Sequence, residues 1–171
     1  INKALGMSEE EINEATHWDK PAALVPRRRI RPVRERVDSQ GRVVIPLDED
    51  AARREIRFLG EQGVDAVGVC LLWSFVAPAH EQRLGELIAE ELPSVRVTLS
   101  SELVSRLGEY ERAMTVVLNC YVSGVVSSYL GDLEARLECE GLRGPLFVLQ
   151  SAGGVQRAAQ IADRPVETLM S

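Results

Sequence analysis

The sequence predicts an α/β fold in which parallel strands are covered by helices, and two features support this class. Apolar runs of strand length alternate along the chain with longer segments of helical periodicity. The run from Val64 to Trp73 is almost continuously apolar, which is typical of a strand with helices on both faces. Aromatic residues make up only 5% of the 171 residues, so the core is predicted to be aliphatic.

The first third of the chain is predicted to contain a short helix and a β-hairpin. Ser8–Glu11 forms a capping box, which opens the helix. The arginine-rich segment Arg27–Arg36 is predicted to be an edge strand, because Pro32 excludes a central one. Its six arginines either protect that edge by charge or form a docking or anion-binding surface. The turn residues Asp38–Gly41 then lead into a second strand at Arg42–Pro46.

Two further pairs of helix and strand follow the hairpin. Asp48 is placed to cap a helix that runs through Gln62. The apolar run Val64–Trp73 comes next and is predicted to be a central parallel strand. Pro78 suits the first position of a second helix. The alternation of apolar and polar residues in Ser94–Ser100 predicts a half-covered strand nearer the edge of the sheet.

The longest helical period runs over Glu109–Glu140. Gly124 and Gly131 lie within it and predict the close approach of another backbone, since glycine weakens a helix by about 1 kcal/mol relative to alanine. A buried strand is predicted at Leu146–Leu149. The buried face of the long helix is predicted from seven apolar positions at helical spacing: Met114, Leu118, Tyr121, Val125, Tyr129, Leu133 and Leu137.

Charge, hydropathy and cysteine content exclude several classes of partner and site for this protein. The net charge of −6 argues against partners such as nucleic acids or anionic membranes. The longest apolar stretch, Val64–Val76, is too short and too interrupted to span a membrane. Cys70, Cys120 and Cys139 form no Cys-x-x-Cys pair, which argues against a zinc ribbon or a redox site and predicts a reduced, cytoplasmic protein.

The first candidate site lies where a predicted strand ends and a helix begins, a place where ligands bind in α/β proteins. His80 lies in the first turn of that helix, where exposed amide groups favour a neutral imidazole that can accept a proton or coordinate a metal. Glu81 is the neighbouring carboxylate. Both residues also have simple structural explanations, as a capping or surface histidine and as an acid that stabilises the helix start.

The second candidate is a polar cluster between the predicted strand at 94–100 and the long helix. Glu102 follows the strand, and Glu109 and Arg112 lie at the start of the helix. Paired acids are typical of acid–base chemistry. Glu109 and Arg112 are also three residues apart, which is the spacing of an ion pair on a helix surface and needs no substrate.

The third candidate is the glycine-containing segment after the strand predicted at 146–149. Gly153 and Gly154 lack the Cβ atoms that would keep backbone amides away from an anion, and Ser151 adds a hydroxyl group. A tight connection from strand to helix explains the glycines equally well. The segment lacks the lysine and spacing of a Walker A loop, and no Gly-x-Ser-x-Gly elbow surrounds Ser151, which argues against a serine hydrolase.

Six short blocks of residues, distributed along most of the chain, resemble a known family in their residues and in their order. They are Leu24–Arg27, Glu35–Asp38 with Gly41, Pro78–Glu81, Ser101–Glu102, Glu109–Arg112 with Thr115, Asn119 and Tyr121, and Ser151–Gly154. Together they resemble the hydantoinase/oxoprolinase family, which includes ATP-dependent N-methylhydantoinase, 5-oxoprolinase and the related acetone carboxylase subunit. The resemblance implies a ribonuclease-H-like, actin-like ATPase fold, in which two α/β halves close over the nucleotide and phosphorylation of an amide or carbonyl oxygen activates the substrate.

The resemblance also implies a division of the chain and a set of partners. Residues 1–108 would be the C-terminal part of the family's N-terminal region, and residues 109–171 the long helix, a strand and the start of its hydantoinase A region. The intact enzyme is expected to use ATP and Mg²⁺, a small cyclic amide of the hydantoin or 5-oxoproline type, and a second subunit or domain of the hydantoinase B type. The family's Asp-Gly-Gly-Thr phosphate loops do not occur between Ile1 and Ser171, so the chain is predicted to be an internal fragment that is inactive and binds no cofactor alone.

In the intact enzyme, the resemblance implies that the candidate residues line the substrate side. Arg112 would hold a carboxylate or phosphate, and the acids would handle protons or a metal whose ligands stay unassigned. The catalytic candidates are His80, Glu81, Glu102, Glu109 and Arg112, and the candidates for binding substrate or phosphate are Ser151, Gly153 and Gly154. Two other hypotheses stay open at this point: a fragment of a carboxylase subunit, and a noncatalytic interaction module that docks through the Arg27–Arg36 segment and the long helix.

Overall fold

A computed structural model of the chain describes Ser8, Glu10, residues 22–150 and residues 153–168. Apart from Ser8 and Glu10, the short helix predicted near the N-terminus lies outside the described residues, and so does the candidate residue Ser151. In chain order the elements are β1 (Arg36–Val37), β2 (Val43–Ile45), α1 (Glu49–Glu61), β3 (Ala66–Val69), α2 (Ala79–Glu91), β4 (Arg96–Leu99), α3 (Ser100–Leu103), α4 (Glu109–Cys139), β5 (Phe147–Leu149), β6 (Val155–Arg157) and α5 (Ala158–Asp163).

The described strands form three two-stranded sheets: antiparallel β1 and β2, parallel β3 and β4, and antiparallel β5 and β6. The predicted α/β class, with parallel strands, flanking helices and an N-terminal hairpin, is confirmed. The strand predicted at Val64–Trp73 is shorter, because the chain turns directly after β3, and within the described residues β3 has one strand partner and is not central. The strand predicted at Ser94–Ser100 forms as β4. Among the described residues, β4 is the only strand that pairs with β3.

The prediction that Arg27–Arg36 is a strand is largely wrong. Arg27–Arg29 forms a short 3-10 helix after Pro26, and only Arg36 of this segment belongs to β1. The hairpin turn itself forms as predicted. The Asp38 carboxylate accepts hydrogen bonds from the backbone amides of Gln40 and Arg42, both at 2.9 Å, which closes the turn.

The helix predicted from Asp48 is confirmed as α1. The Asp48 side chain accepts a hydrogen bond from the Ala51 amide at 2.9 Å and so caps the helix. Gly63 follows the helix with a φ of +61°, in the left-handed region that glycine adopts at little cost. The second helix, α2, begins one residue later than predicted, because Pro78 occupies its cap position.

The main core lies between the parallel strands and helices α1 and α2. It is aliphatic, as the composition predicts. Its buried members are Ala52 and Ile56 of α1, Val69 of β3, Leu84, Leu87 and Ile88 of α2, and Leu99 of β4. Ion pairs at the surface also join the two helices, since the Glu91 carboxylate accepts hydrogen bonds from Arg53 at 2.8 Å and from Arg57 at 2.7 Å.

The face of α4 that is buried is not the predicted one. Its buried residues are mainly polar or charged, and Tyr121, Val125 and Tyr129 of the predicted face are 67%, 74% and 64% exposed. The buried positions are Arg112, Val116, Asn119, Ser123 and Leu130. By length and composition alone, α4 is also able to cross a membrane, with a mean hydropathy of 1.4 over its most apolar window, a test that core helices pass as well. The helix packs against β3, β4 and α5.

The predicted close approach of a backbone at Gly124 and Gly131 is wrong. A Cβ atom at Gly124 would lie 2.7 Å from the side chain of Arg96, and one at Gly131 would meet nothing within 4 Å. The close approach to α4 occurs instead at Gly68 of β3, where a Cβ atom would lie 2.4 Å from Cγ1 of Val116. The absence of a side chain at Gly68 therefore lets β3 lie directly against the long helix.

The substitution Gly68→Ala tests this contact. Because its Cβ atom overlaps Val116, we expect the free energy of unfolding to fall by about 1–3 kcal/mol. Gly131→Ala is the matched control in open space on α4, and it is expected to raise the free energy of unfolding by about 0.5–1 kcal/mol. Urea denaturation measures both, and a Gly68→Ala protein as stable as the wild type contradicts the packing.

The ion pairs of Glu91 predict an acid-dependent stability. The guanidinium groups of Arg57 and Arg53 lower the pKa of Glu91 to about 2. A carboxylate whose pKa is lower in the folded protein stabilises it above the unfolded value of about 4.3, and this stabilisation disappears as the pH falls towards 2. We therefore expect Glu91→Gln to weaken the loss of stability between about pH 5 and pH 2, as measured by urea denaturation across this range. Glu138→Gln on α4 is the matched control, and an unchanged acid profile in Glu91→Gln contradicts the assignment.

Candidate functional site

Polar side chains gather beyond the carboxyl ends of the parallel strands β3 and β4. The segment 70–78 leads from β3 to α2, and α3 with the following segment 104–108 leads from β4 to α4. Ligands of α/β proteins bind at this edge of a parallel sheet. The predicted candidates Glu81, Glu102, Glu109 and Arg112 belong to the elements that follow the two strands.

Glu81 is completely buried and joins three segments of this edge. Its Oε1 atom accepts hydrogen bonds from the Leu71 amide at 2.8 Å and from the Ser100 hydroxyl at 2.7 Å. Its Oε2 atom accepts one from the Ser101 amide at 2.8 Å. A buried carboxylate needs such donors, because water no longer solvates it. Glu81 therefore ties the start of α2 to the ends of both parallel strands.

Arg112 is 1% exposed and points into the protein. It donates a hydrogen bond to the Leu71 carbonyl, lies 3.6 Å from Sγ of Cys70 and stands 5.2 Å from the centre of the Phe75 ring. The predicted ion pair with Glu109 is wrong, since no ion pair among the described residues includes either side chain. The reason is that Arg112 packs against the segment after β3, where one guanidinium nitrogen donates to a carbonyl and the group lies near an aromatic face.

The two buried charged side chains meet at one backbone residue. Glu81 binds the amide of Leu71, and Arg112 binds its carbonyl. Two residues later, Trp73 has a φ of +60°, a conformation that side chains other than glycine rarely adopt. The Ser74 hydroxyl bonds to the Leu71 carbonyl and to the Ser100 hydroxyl, both at 3.1 Å. We call Leu71, Glu81 and Arg112 the Leu71 clamp.

Two buried polar atoms beside the clamp have no hydrogen-bond partner among the described residues. They are Nε of Arg112 and Oγ of Ser101. Buried polar atoms without partners are rare in native structures. These two atoms therefore mark the neighbourhood of the clamp as the candidate functional site.

His80 belongs to a separate pair on the other side of the helix start. Its Nδ1 atom lies 2.8 Å from Oε2 of Glu35, and the side chains of His80 and Glu35 are 14% and 6% exposed. A carboxylate that is hydrogen-bonded to Nδ1 fixes the orientation of the imidazole ring. Because Glu35 precedes β1, this contact also ties the N-terminal hairpin to α2.

Glu102 and Glu109 are both exposed, in contrast to Glu81 and Arg112. Glu102 lines a cleft of about 490 Å³, together with Arg96, Thr98, Asn119 and Arg164. The Asn119 amide is buried and donates to the Thr98 hydroxyl at 3.1 Å, which fixes the floor of this cleft. Glu102 is therefore the predicted acid whose carboxylate is accessible from an open cavity.

Gly153 and Gly154 lie in a hairpin turn. The structure contradicts the predicted strand-to-helix connection, because β5 and β6 are antiparallel and these residues join them. The Gly153 amide donates to the Gln150 carbonyl at 3.0 Å, and the Gly154 carbonyl accepts from the Gln150 amide at 3.1 Å. The strand at 147–149 is also not buried as predicted, since Phe147 and Leu149 are 54% and 79% exposed.

The described residues do not fit Mg²⁺-ATP. No three His, Cys, Asp or Glu side chains converge within them to hold a metal ion. A hydrogen bond to Gln150 occupies the amide of Gly153, so this amide is not free to bind a phosphate. No chemical step through the nucleotide is therefore assigned to these residues.

Comparison with models of protein families shows to which family the chain belongs. Residues 6–92 match the model of the hydantoinase/oxoprolinase N-terminal region, and residues 112–171 match the hydantoinase/oxoprolinase model. The chain belongs to the hydantoinase/oxoprolinase family. The resemblance inferred from the six sequence blocks is thereby confirmed.

Individual relatives in this family are much longer than the chain. It is 42% identical over 141 residues to the acetophenone carboxylase gamma subunit of Aromatoleum aromaticum, covering 80% of this chain and 19% of the relative. It is 36% identical to the caprolactamase subunit alpha of Pseudomonas jessenii, covering 98% of this chain and 24% of the relative. The chain thus spans about a fifth to a quarter of the length of these relatives.

Solved structures confirm the actin-like ATPase type of fold. Nucleotide-free acetone carboxylase matches with a TM-score of 0.80 and 26% identity, over 95% of this chain and 24% of that one. The hydantoinase/oxoprolinase chain therefore shares its backbone arrangement with about a quarter of this acetone carboxylase chain.

Sequence reasoning missed some residues that build the site of this hydantoinase/oxoprolinase chain. Leu71 and Ser74 were interpreted only as parts of a strand and a connection, because a backbone hydrogen bond to Leu71 leaves no mark in residue type. Ser100 and Ser101, in contrast, belong with Glu102 to the polar cluster that the sequence predicts after the strand, although their hydrogen bonds to Glu81 are not predicted.

The substitution Glu81→Ala tests the Leu71 clamp. It removes the acceptor of three hydrogen bonds and leaves the Leu71 and Ser101 amides without a partner, so we expect the free energy of unfolding to fall by about 3 kcal/mol or more. Glu86→Ala, on the exposed side of the same helix, is the control and is expected to cost at most about 1 kcal/mol. Urea denaturation at neutral pH measures both, and equal losses in the two variants contradict the role of Glu81.

Proposed function

We propose that this chain is part of an ATP-dependent enzyme that opens a small cyclic amide, of the hydantoin, 5-oxoproline or lactam type. The observation that carries the proposal is the match to the caprolactamase subunit over nearly the whole chain. ATP-dependent activation of an amide or carbonyl oxygen by phosphorylation is the chemistry proposed for the complete protein. We propose that the chain alone does not perform it.

The geometry supports different roles for the candidate residues, since some are buried and others are exposed. Glu81 and Arg112 are at most 1% exposed, so we propose that they position the segment after β3 and do not contact substrate in this conformation. Glu102 and Glu109 are exposed at the same edge of the sheet, and we propose Glu102 as an acid that meets the substrate or its water. His80 is proposed to act on the substrate side with its ring oriented by Glu35.

Carboxylation of a ketone is a second candidate function. The acetophenone carboxylase gamma subunit shows a higher identity to this chain than the caprolactamase subunit does, although it matches a smaller part of the chain. Both reactions begin at a polarised C=O group, so one scaffold can serve either. The two differ in the co-substrate, because carboxylation consumes bicarbonate or carbon dioxide.

Several further expectations belong to this proposal. Both relatives are named as subunits, which supports a second subunit of the hydantoinase B type. Mg²⁺ is proposed to accompany ATP in the complete enzyme. Free Cys70, Cys120 and Cys139 support the proposed cytoplasmic location. The division into residues 1–108 and 109–171 stays a prediction, as do the substrate contacts of Ser151, Gly153 and Gly154.

The substrate class is tested by measuring ADP release from the full-length protein together with its partner subunit. We expect hydantoin, 5-oxoproline or caprolactam to stimulate ADP release without bicarbonate. Stimulation only by acetone or acetophenone in the presence of bicarbonate contradicts the cyclic amide and supports the ketone. The absence of any ATP turnover with either class contradicts both candidates.

The role of Glu102 is tested in the same assay. We expect Glu102→Gln to lower kcat/KM by about 100-fold, because the amide cannot accept or donate the proton. Glu86→Gln is the surface control and is expected to keep the wild-type value. Normal kcat/KM in Glu102→Gln removes this residue from the chemistry.

A further inference from the structure

The long helix α4 has its apolar side outside and its polar side inside. Its buried residues include Arg112, Asn119 and Ser123. Its outer face carries Tyr110, Tyr121, Val125 and Tyr129, which are 56%, 67%, 74% and 64% exposed. We call these four residues the outer strip. A helix on the surface of a globular protein normally shows the opposite arrangement.

The half-buried Met114 and Leu118 lie on the same side of α4, between Tyr110 and the other three members of the outer strip. Its members are spaced by 11, 4 and 4 residues, which places them on one side of an α-helix. From Tyr110 to Tyr129 the helix rises by about 29 Å. The stretch from Ala113 to Leu130 contains no charged residue. Apolar surface of this extent marks an interaction site.

The charges at the two ends of α4 restrict what can cover the strip. Glu109 and Glu111 are exposed at one end, and Asp132, Glu138 and the basic Arg136 are exposed at the other, so acids outnumber bases at both ends. None of these five side chains is in an ion pair within the described residues. A second copy of α4 in parallel orientation would set like charges side by side at both ends. An anionic membrane would be repelled at both ends. The charges instead favour a surface with an apolar centre and basic ends.

The buried side of α4 also argues against a lipid environment. Arg112 and Asn119 make their hydrogen bonds with β3, β4 and α5 or with the segments adjoining them, and these bonds hold the helix to the protein. Crossing a bilayer would expose these polar groups to hydrocarbon, which is costly. Only the outer face is therefore available to a partner.

The size of the relatives indicates the source of the partner surface. The two relatives described above are about four times as long as this chain, since the aligned 141 and 167 residues cover 19% and 24% of them. We propose that the outer strip of α4 is the docking surface for another part of the same long polypeptide, which presents apolar side chains between two basic ends. The strip then belongs to the interior of the complete protein, which explains why the helix is apolar on its outer side.

Thiol labelling of the full-length polypeptide tests the proposal. Val125→Cys places a thiol in the middle of the strip, and Val44→Cys is the matched control at a 60% exposed valine of β2. Iodoacetamide labelling is followed by peptide mass spectrometry, which separates the new thiols from Cys70, Cys120 and Cys139. We expect the thiol at position 125 to react about tenfold or more slowly than the one at position 44 in the native protein, and at the same rate in urea.

Each other outcome overturns the proposal. A thiol at position 125 that reacts as fast in the native protein as in urea shows that the strip is uncovered. Protection that disappears on dilution assigns the strip to a second copy of the chain. Protection that requires the second subunit assigns it to that subunit, and protection that requires anionic vesicles assigns it to a membrane.

A charge in the strip provides a second readout that does not depend on thiols. We expect Val125→Asp to lower the Tm of the full-length protein by about 4 °C or more beyond the effect of Val44→Asp. Equal shifts in the two variants contradict a covered strip.

Discussion

The arrangement of this chain depends on two buried charges that hold one peptide backbone from opposite sides. The Glu81 carboxylate accepts from the Leu71 amide, and the Arg112 guanidinium donates to the Leu71 carbonyl. Neither side chain is more than 1% exposed, so removal of one leaves the other groups buried and unpaired. The clamp therefore fixes the starts of α2 and α4 relative to the end of β3.

This constraint shapes the edge where chemistry is proposed. The positive φ of Trp73 lies two residues after the clamped Leu71, and such a conformation persists only where the surroundings hold it. The Ser74 and Ser100 hydroxyls bind each other and join the two strand ends. A rigid edge of this kind keeps exposed acids such as Glu102 in place, which is what a positioned catalytic group requires.

The sequence was most informative where the signal is local. The cap at Asp48, the turn at Asp38 and the long period that begins at Glu109 each depend on neighbours a few residues away, and the structure contains all three. Family membership was also predictable, because short blocks of residues survive in order even when they are far apart. The partners of His80 and Arg112, which are Glu35 and the Leu71 carbonyl, lie far away in the sequence and were not predicted.

The predictions that the structure contradicts concern contacts between segments that are distant in the sequence. Apolar periodicity correctly identified a helix in α4 but assigned the wrong side to the interior, since hydropathy does not say which segment of a long protein covers a face. Arg112 was expected to pair with Glu109, whereas tertiary packing gave it the Leu71 carbonyl. Gly153 and Gly154 suit several tight turns, and only the pairing of β5 with β6 distinguishes a hairpin from a strand-to-helix connection.

Native-state hydrogen exchange at the Leu71 amide tests the central claim most directly. If the clamp organises this edge of the sheet, the amide exchanges only when the whole protein unfolds, at a rate similar to that of the core residue Val69 in β3. In Glu81→Gln the amide should lose much of this protection while Val69 keeps its own. Rapid exchange at Leu71 in a wild-type protein whose core stays protected would contradict the account.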